Sequence, residues 1–126
     1  MSAFSGIKAA NLAPKNPQSK TERANLYILA HPAGATELDI LNNAGLISGR
    51  NYFTNLEREY FFKFNREKIP NRDGIGTHSK YSFSSLEIAE TIIKAINKSR
   101  VNRKLIEFTP EQEVELLIPI KNLMGK

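Results

Sequence analysis

Arg50, Asn51, Thr54 and Asn55 follow one another at intervals of one, three and one. On an α-helix that spacing gathers them on one face, because residues three and four apart lie side by side. A guanidinium offers a planar fork of donors, and a carboxamide sets a donor beside an acceptor. Both shapes match nucleobase edges, arginine with guanine and asparagine with adenine, and a good bidentate pair discriminates by about 1–3 kcal/mol. Four such residues also make an ordinary solvated helix face. Only the surrounding frame separates the two.

A second group follows. Lys63, Arg66, Lys68, Arg72 and Lys80 lie within residues 61–80, opposed there only by Glu67 and Asp73. Cations spread along a hairpin suit phosphate contacts, which position a protein on a duplex without reading its sequence. The plainer use is to keep a hairpin's edges from pairing with other strands. The whole chain carries +5, a balance that favours polyanions and chiefly nucleic acid. Residues 20–60 and the segment from Thr109 onward are each slightly acidic, so the positive excess sits in the middle and in residues 1–19.

Other chemistries find little support. The two histidines, His31 and His78, stand far apart, and no cluster of His, Asp and Glu has metal-ligand spacing. The absence of cysteine excludes disulfides, thiolate zinc sites and thiol catalysis, and it fits a reducing cytoplasm. Asp73-Gly74-Ile75-Gly76 lacks the strand-then-helix setting and the lysine of a phosphate loop. Ser84-Ser85 reads as a helix cap rather than a nucleophile, since no base is marked nearby. Without a general acid/base pair, the expectation is a protein with no catalytic residues, no metal and no cofactor, and not an enzyme. No apolar run approaches the ~20 residues of a membrane span, and the N-terminus lacks the apolar core of a secretory signal.

The elements that would hold these groups can be read from caps and periodicity. Ser19-Lys20-Thr21-Glu22 fits a capping box, followed by Leu26, Leu29 and Ala30 at helical spacing, with Pro32 and Gly34 as stops. Thr36-Glu37-Leu38-Asp39 opens a second helix whose buried face is expected from Leu38 and Leu41 with Ile40, and Gly45 ends it. A third helix is predicted from Ser48 to about Glu59, burying Phe53 and Leu56, with Tyr60 next on that face. Arg58, flanked by Glu57 and Glu59, is expected to form an intrahelical ion pair. Tyr60 to Arg66 then reads as a strand, Pro70 to Gly74 as a turn, and Lys80 to Phe83 as the returning strand. Tyr60, Phe61, Phe62 and Phe64 are expected to pack the hairpin onto the core rather than stack on single-stranded bases. Ser84-Ser85-Leu86-Glu87 reads as a third capping box before Leu86, Ile88, Ala89, Ile92, Ile93 and Ile96, a broad apolar arc suited to a core or an oligomer interface. Leu105 to Phe108 is a candidate strand, and Thr109-Pro110-Glu111-Gln112 a strong helix start. That last helix would bury Val114, Leu117 and Ile118 and break or kink at Pro119.

The stretch from Thr36 to Tyr60 resembles the short winged helix-turn-helix domains of phages and other mobile elements. Thr36-Glu37 opens the second helix, Gly45-Leu46 makes the turn, and Ser48 through Phe53 to Leu56-Glu57-Arg58-Glu59 leads to the wing. Phe53 and Leu56 match the family's buried recognition-helix positions. The resemblance extends more loosely from Ser19 to Phe83. It implies double-stranded DNA as partner, with bases read from the exposed face of the third helix.

The expected fold is therefore mostly α with a small β-hairpin (α+β), a winged helix-turn-helix plus a C-terminal helical extension. Residues 1–18 would be a flexible basic arm offering Lys8 and Lys15 to phosphate, 19–83 the winged domain, and 84–126 an extension that forms a homodimer. The expected function is a DNA-binding transcriptional regulator, acting as a repressor by occluding a promoter. The alternative is a phage-type interaction module or inhibitor that binds a host protein through residues 84–126.

Overall fold

Ser19 caps the first described helix by accepting a hydrogen bond from the Glu22 amide at 3.0 Å, which satisfies one of the open donors of a helix start. In this computed structural model residues 19–46 and 51–125 are described. The basic arm 1–18, with Lys8 and Lys15, and the segment 47–50, with Arg50, lie outside the described residues. Helix α1 spans Lys20–Ala30. It has only half of the expected capping box. The Glu22 carboxylate does not reach back to the cap but turns inward, buried, to meet Arg100 and Arg103.

A two-residue strand, β1 (Ala35–Thr36), separates α1 from α2 (Glu37–Ala44). Thr36 caps α2 in a complete capping box, its hydroxyl accepting from the Asp39 amide and the Asp39 carboxylate accepting from the Thr36 amide. Gly45 ends α2 with φ 68°, a conformation that costs glycine nothing. The buried face is Ile40 and Ala44, not Leu38 and Leu41, which are exposed. Of the expected face only Ile40 is buried, joined by Ala44 four residues on.

Helix α3 spans Tyr52–Tyr60. Strands β2 (Asn65–Pro70) and β3 (Thr77–Ser82) follow. The three strands form an antiparallel sheet in the order β1-β3-β2, with Ala35 opposite Tyr81 and Arg66 opposite Tyr81 on the other side. Tyr60 to Phe64 is not strand, contrary to expectation. Tyr60 belongs to α3, Phe61 reverses the chain in a left-handed conformation, and the Phe64 amide donates to the Glu57 carboxylate rather than to a neighbouring strand. The ladder can begin only after that donor is spent.

Helix α4 spans Leu86–Asn102 and α5 spans Pro110–Met124. The third capping box does not form. Ser85 is the cap residue but makes no side-chain cap bond, and the Ser84 hydroxyl donates to the Lys63 carbonyl. Ile88, Ala89, Ile92, Ile93 and Ile96 are all buried within this chain, since α4 packs on α1 and α5. Leu105 to Phe108 is not a strand, contrary to expectation. The Leu105 amide donates to the Arg100 carbonyl, Arg100 donates through its side chain to the Ile106 carbonyl, and the Phe108 amide donates to Asn97. Thr109 caps α5 in a capping box with Gln112. The helix passes through Pro119 without ending. Beyond it Ile120 is buried, and Leu116, Leu117 and Leu123 pack on the core, while Val114 and Ile118 are exposed, contrary to expectation. The fold is thus α+β, five helices with a small three-stranded antiparallel sheet among the described residues. No described helix is long and apolar enough to cross a membrane.

Candidate nucleic-acid interface

Helix α3 has two unlike faces. Its inner face carries Tyr52, Phe53, Leu56 and Glu57, all buried. The Phe53 ring stacks on Tyr81 of β3 at 4.0 Å and meets Phe64 edge-on at 5.3 Å, so the helix is locked to the base of the hairpin by aromatic packing. The Tyr52 hydroxyl donates to Asn25 of α1, and burial raises its pKa well above the usual tyrosine value. Arg23 of α1 donates to the Ala44 carbonyl at 3.1 Å, closing the end of α2. Helix α1 thereby holds α2 and α3 through directional bonds as well as apolar contact.

The outer face carries Asn51, Thr54, Asn55 and Arg58. Asn51 is exposed and makes no cap bond with its side chain. The Thr54 hydroxyl donates back to the Asn51 carbonyl at 3.1 Å, which leaves its lone pairs and methyl group for an outside partner. Arg58 donates to the Asn55 carboxamide oxygen at 3.1 Å. Arg58 therefore pairs with an amide rather than with the expected acids, and Asn55 is oriented with its own N–H donors free to point outward.

Glu57 adds no charge to that surface, where Glu59 is exposed beside Arg58. The Glu57 carboxylate is turned inward and takes two bonds from Arg66, at 2.7 and 2.8 Å, and one from the Phe64 amide at 2.9 Å. Lys63 stands 4.0 Å away. Burial pushes the Glu57 pKa up, but the Arg66 bonds, the Phe64 amide and the nearby positive charges outweigh it and hold the group below its usual range. In turn, Glu57 raises the Arg66 pKa. Arg66 also lies over the Tyr81 ring, 4.8 Å from its centroid.

The five hairpin cations thus separate into three situations. Arg66 is committed to Glu57. Lys80 sits across from Glu67 in the ladder, and its stem lies where a Cβ on Gly34 would be, 2.0 Å from Cε, so this lysine packs along the β1 side of the sheet. Lys63, Lys68 and Arg72 are exposed. Three residues that matter to the site were not singled out from the sequence: Glu57, Tyr52 and Asn25. The spacing of Phe53, Glu57 and Tyr60, four and three apart, was the available signal that Glu57 lies on the buried stripe.

Among the described residues no group of three His, Asp or Glu side chains could hold a metal ion. His31 is exposed at the end of α1, its ring stacked on Tyr27 at 4.2 Å and its Nδ1 hydrogen-bonded to the Tyr27 carbonyl. Comparison with family models, curated proteins and solved structures finds no match to this chain. What the surface can bind rests on its own geometry.

Proposed function

We propose that the protein is a DNA-binding transcriptional regulator of winged helix-turn-helix form, working as a repressor by occupying a promoter. The order α1-β1-α2-α3-β2-β3, with β1 joined to β3, supports that form. On this reading α3 enters the major groove, whose ~12 Å width admits a helix. Arg50, Asn51, Thr54 and Asn55 read base edges, and Lys63, Lys68 and Arg72 take phosphate. Arg66 and Lys80 serve the hairpin's own structure first. One observation carries the reading: Glu57, the acid on the inner stripe of α3, is buried and neutralised by Arg66, while Asn51, Asn55 and Arg58 stay outside with Glu59 as the one exposed acid of the helix. The protein acts where duplex DNA is accessible, in the cytoplasm.

The test is Asn51→Ala with Asn55→Ala, measured on duplexes selected from a random library. Both side chains are exposed, and Asn51, though the N-cap residue of α3, makes no cap bond with its side chain, so folding is kept. Sequence preference is expected to fall by roughly tenfold or more against random duplex. An unchanged preference contradicts base reading by α3.

A homodimer reading two half-sites cannot use the isoleucine face of α4, which is buried inside the chain. The exposed Val114 and Ile118 of α5 offer it an apolar surface. The same residues, with Ile106 and Met124, favour a second reading in which residues 84–126 bind a protein partner.

A further inference from the structure

Among the described residues no large apolar side chain is more exposed than Phe61, at 91%. It sits at φ 61° and closes the end of α3 by donating its amide to the Glu57 carbonyl. A glycine makes that reversal without strain and would leave no ring in water. The chain therefore carries an aromatic where its own folding disfavours one.

The ring does not stand alone. With Tyr60 and Phe62 it walls a cleft of about 380 Å³ against the first turns of α4, floored by Ile88. A second cleft of about 250 Å³, between α4 and α5, is floored by Ile93 and Leu117. The two share Glu90 and Lys94 on their walls. Glu90, Thr91 and Lys94 follow Glu87 by three, four and seven residues, so the four form one stripe of α4. That stripe is roughly 10 Å long at 1.5 Å per residue, and the two clefts make one groove along it.

The groove is acidic in a chain whose net charge is +5. Glu87 and Glu90 are exposed, and Glu113 of α5 is half-buried with one oxygen accepting from Asn97. None of the three forms an ion pair among the described residues. Glu59 is exposed next to Tyr60, whose pKa is raised first by burial and then by that carboxylate. Among the described residues Lys94 is the only cation lining either cleft. Lys63, next to Phe62 in the chain, stands 4.0 Å from Glu57. Such a surface repels the phosphates of nucleic acid and of lipid headgroups alike. It favours a guanidinium or ammonium in two ways, through the carboxylates and through the aromatic faces. The alkyl stem of that cation can lie along the apolar floor.

We propose that this groove docks a basic segment of a protein partner, with a lysine or arginine head between the Phe61 ring and the carboxylates of Glu87 and Glu90, and apolar neighbours on Ile88 and Leu117. The inference goes beyond the DNA-binding reading and does not rest on it. It gives the protein a second partner, of the opposite charge to the first.

The experiment follows the anisotropy of a fluorescently labelled peptide alternating lysine and arginine with leucine, titrated with the full chain. Wild type is expected to bind it, and since the chain as a whole carries +5, the attraction must come from a local acidic surface. Phe61→Gly is expected to weaken binding roughly tenfold, while its unfolding midpoint stays level or rises, so the lost affinity is not lost fold. Phe61→Tyr keeps the affinity. Glu87→Gln with Glu90→Gln gives a comparable loss and a shallower dependence on salt. Spermine, cationic but without an apolar side chain for the floor, is expected to bind more weakly. No peptide binding by wild type overturns the proposal, as does an affinity unchanged in Phe61→Gly or in the double glutamine variant. Spermine binding as tightly as the peptide overturns a peptide as the occupant. The test uses no DNA, so either reading can fail without the other.

Discussion

Glu22 and Glu57 are both buried carboxylates on the inner face of a helix, and both are held by arginine, yet they join very different parts of the chain. Glu57 reaches Arg66, nine residues on, and fixes α3 to the first strand of the hairpin beside it. Glu22 reaches Arg100 and Arg103, 78 and 81 residues away, and fixes the first helix to the end of α4. Arg100 then continues the link, lying over the Phe108 ring at 4.2 Å and donating to the Ile106 carbonyl. Asn97 adds to it by bonding both the Phe108 amide and Glu113 of α5. One clamp shapes a surface, and the other makes residues 84–126 part of the same folded unit as α1. The extension is therefore not a separable appendage, whatever it binds.

Substitutions can separate the two clamps from the packing around them. Phe53→Ala removes the ring that stacks on Tyr81 and meets Phe64, and is expected to cost about 3–5 kcal/mol in denaturant unfolding. Glu22→Gln leaves two arginines without their carboxylate. Both are partly exposed and can turn toward water, so the expected cost is about 2–3 kcal/mol rather than the full penalty of an orphaned buried charge. Loss of amide-exchange protection at the end of α4 and at α5 should accompany it, while α3 keeps its own. A Glu22→Gln protein that loses protection evenly over the whole chain contradicts the division of labour between the clamps.

Glu57→Gln is expected to cost less, about 1–2 kcal/mol, since Arg66 is one-third exposed and its bonds are partly replaced by water. Its dependence on pH is more telling. Glu57 has its folded-state pKa lowered from 4.5. The stability it contributes is therefore fully present above pH 4.5 and is lost as pH falls through the lower folded-state value. The gap between wild type and Glu57→Gln should be constant at neutral pH and close in acid below that point. A gap that instead widens in acid contradicts the assignment. The smallest effect is at Phe61, 91% exposed and held at φ 61°. Phe61→Gly removes the strain and little packing, and should stabilise the protein by about 0.5–1 kcal/mol.

The contrast between the clamps also shows what the sequence could reveal. Local signals were legible: the Thr36 cap, the Thr109-Pro110 helix start, the Gly45 stop and the Gly74 turn each depend on a few neighbouring residues. So was the inner stripe of α3 at Phe53 and Leu56. What depended on distant partners was not. Glu22 stands where a capping box predicts a local bond, and nothing within reach of Ser19 announces an arginine 78 residues away. Leu38 and Leu41 looked buried because apolar residues usually are, but of the expected face only Ile40 is buried, joined by Ala44. Pro119 reads as a break or a kink because its ring removes a helical hydrogen bond, yet α5 continues through it to Met124, with Ile120 buried on the core. For the candidate interface, residue types on the outer face of α3 were readable. The commitment of Arg66 was not, since it requires knowing that Glu57 faces inward.

Duplex binding as a function of salt addresses the DNA-binding reading most directly. With sequences selected from random duplex DNA, the logarithm of affinity should fall linearly with the logarithm of salt concentration, by about 0.9 per phosphate contact. Removing the exposed cation Lys68 or Arg72 by alanine substitution should reduce that slope by about one without changing the selected sequence. If the full chain shows no duplex binding at low salt across the library, α3 and the hairpin do not form a DNA-reading surface.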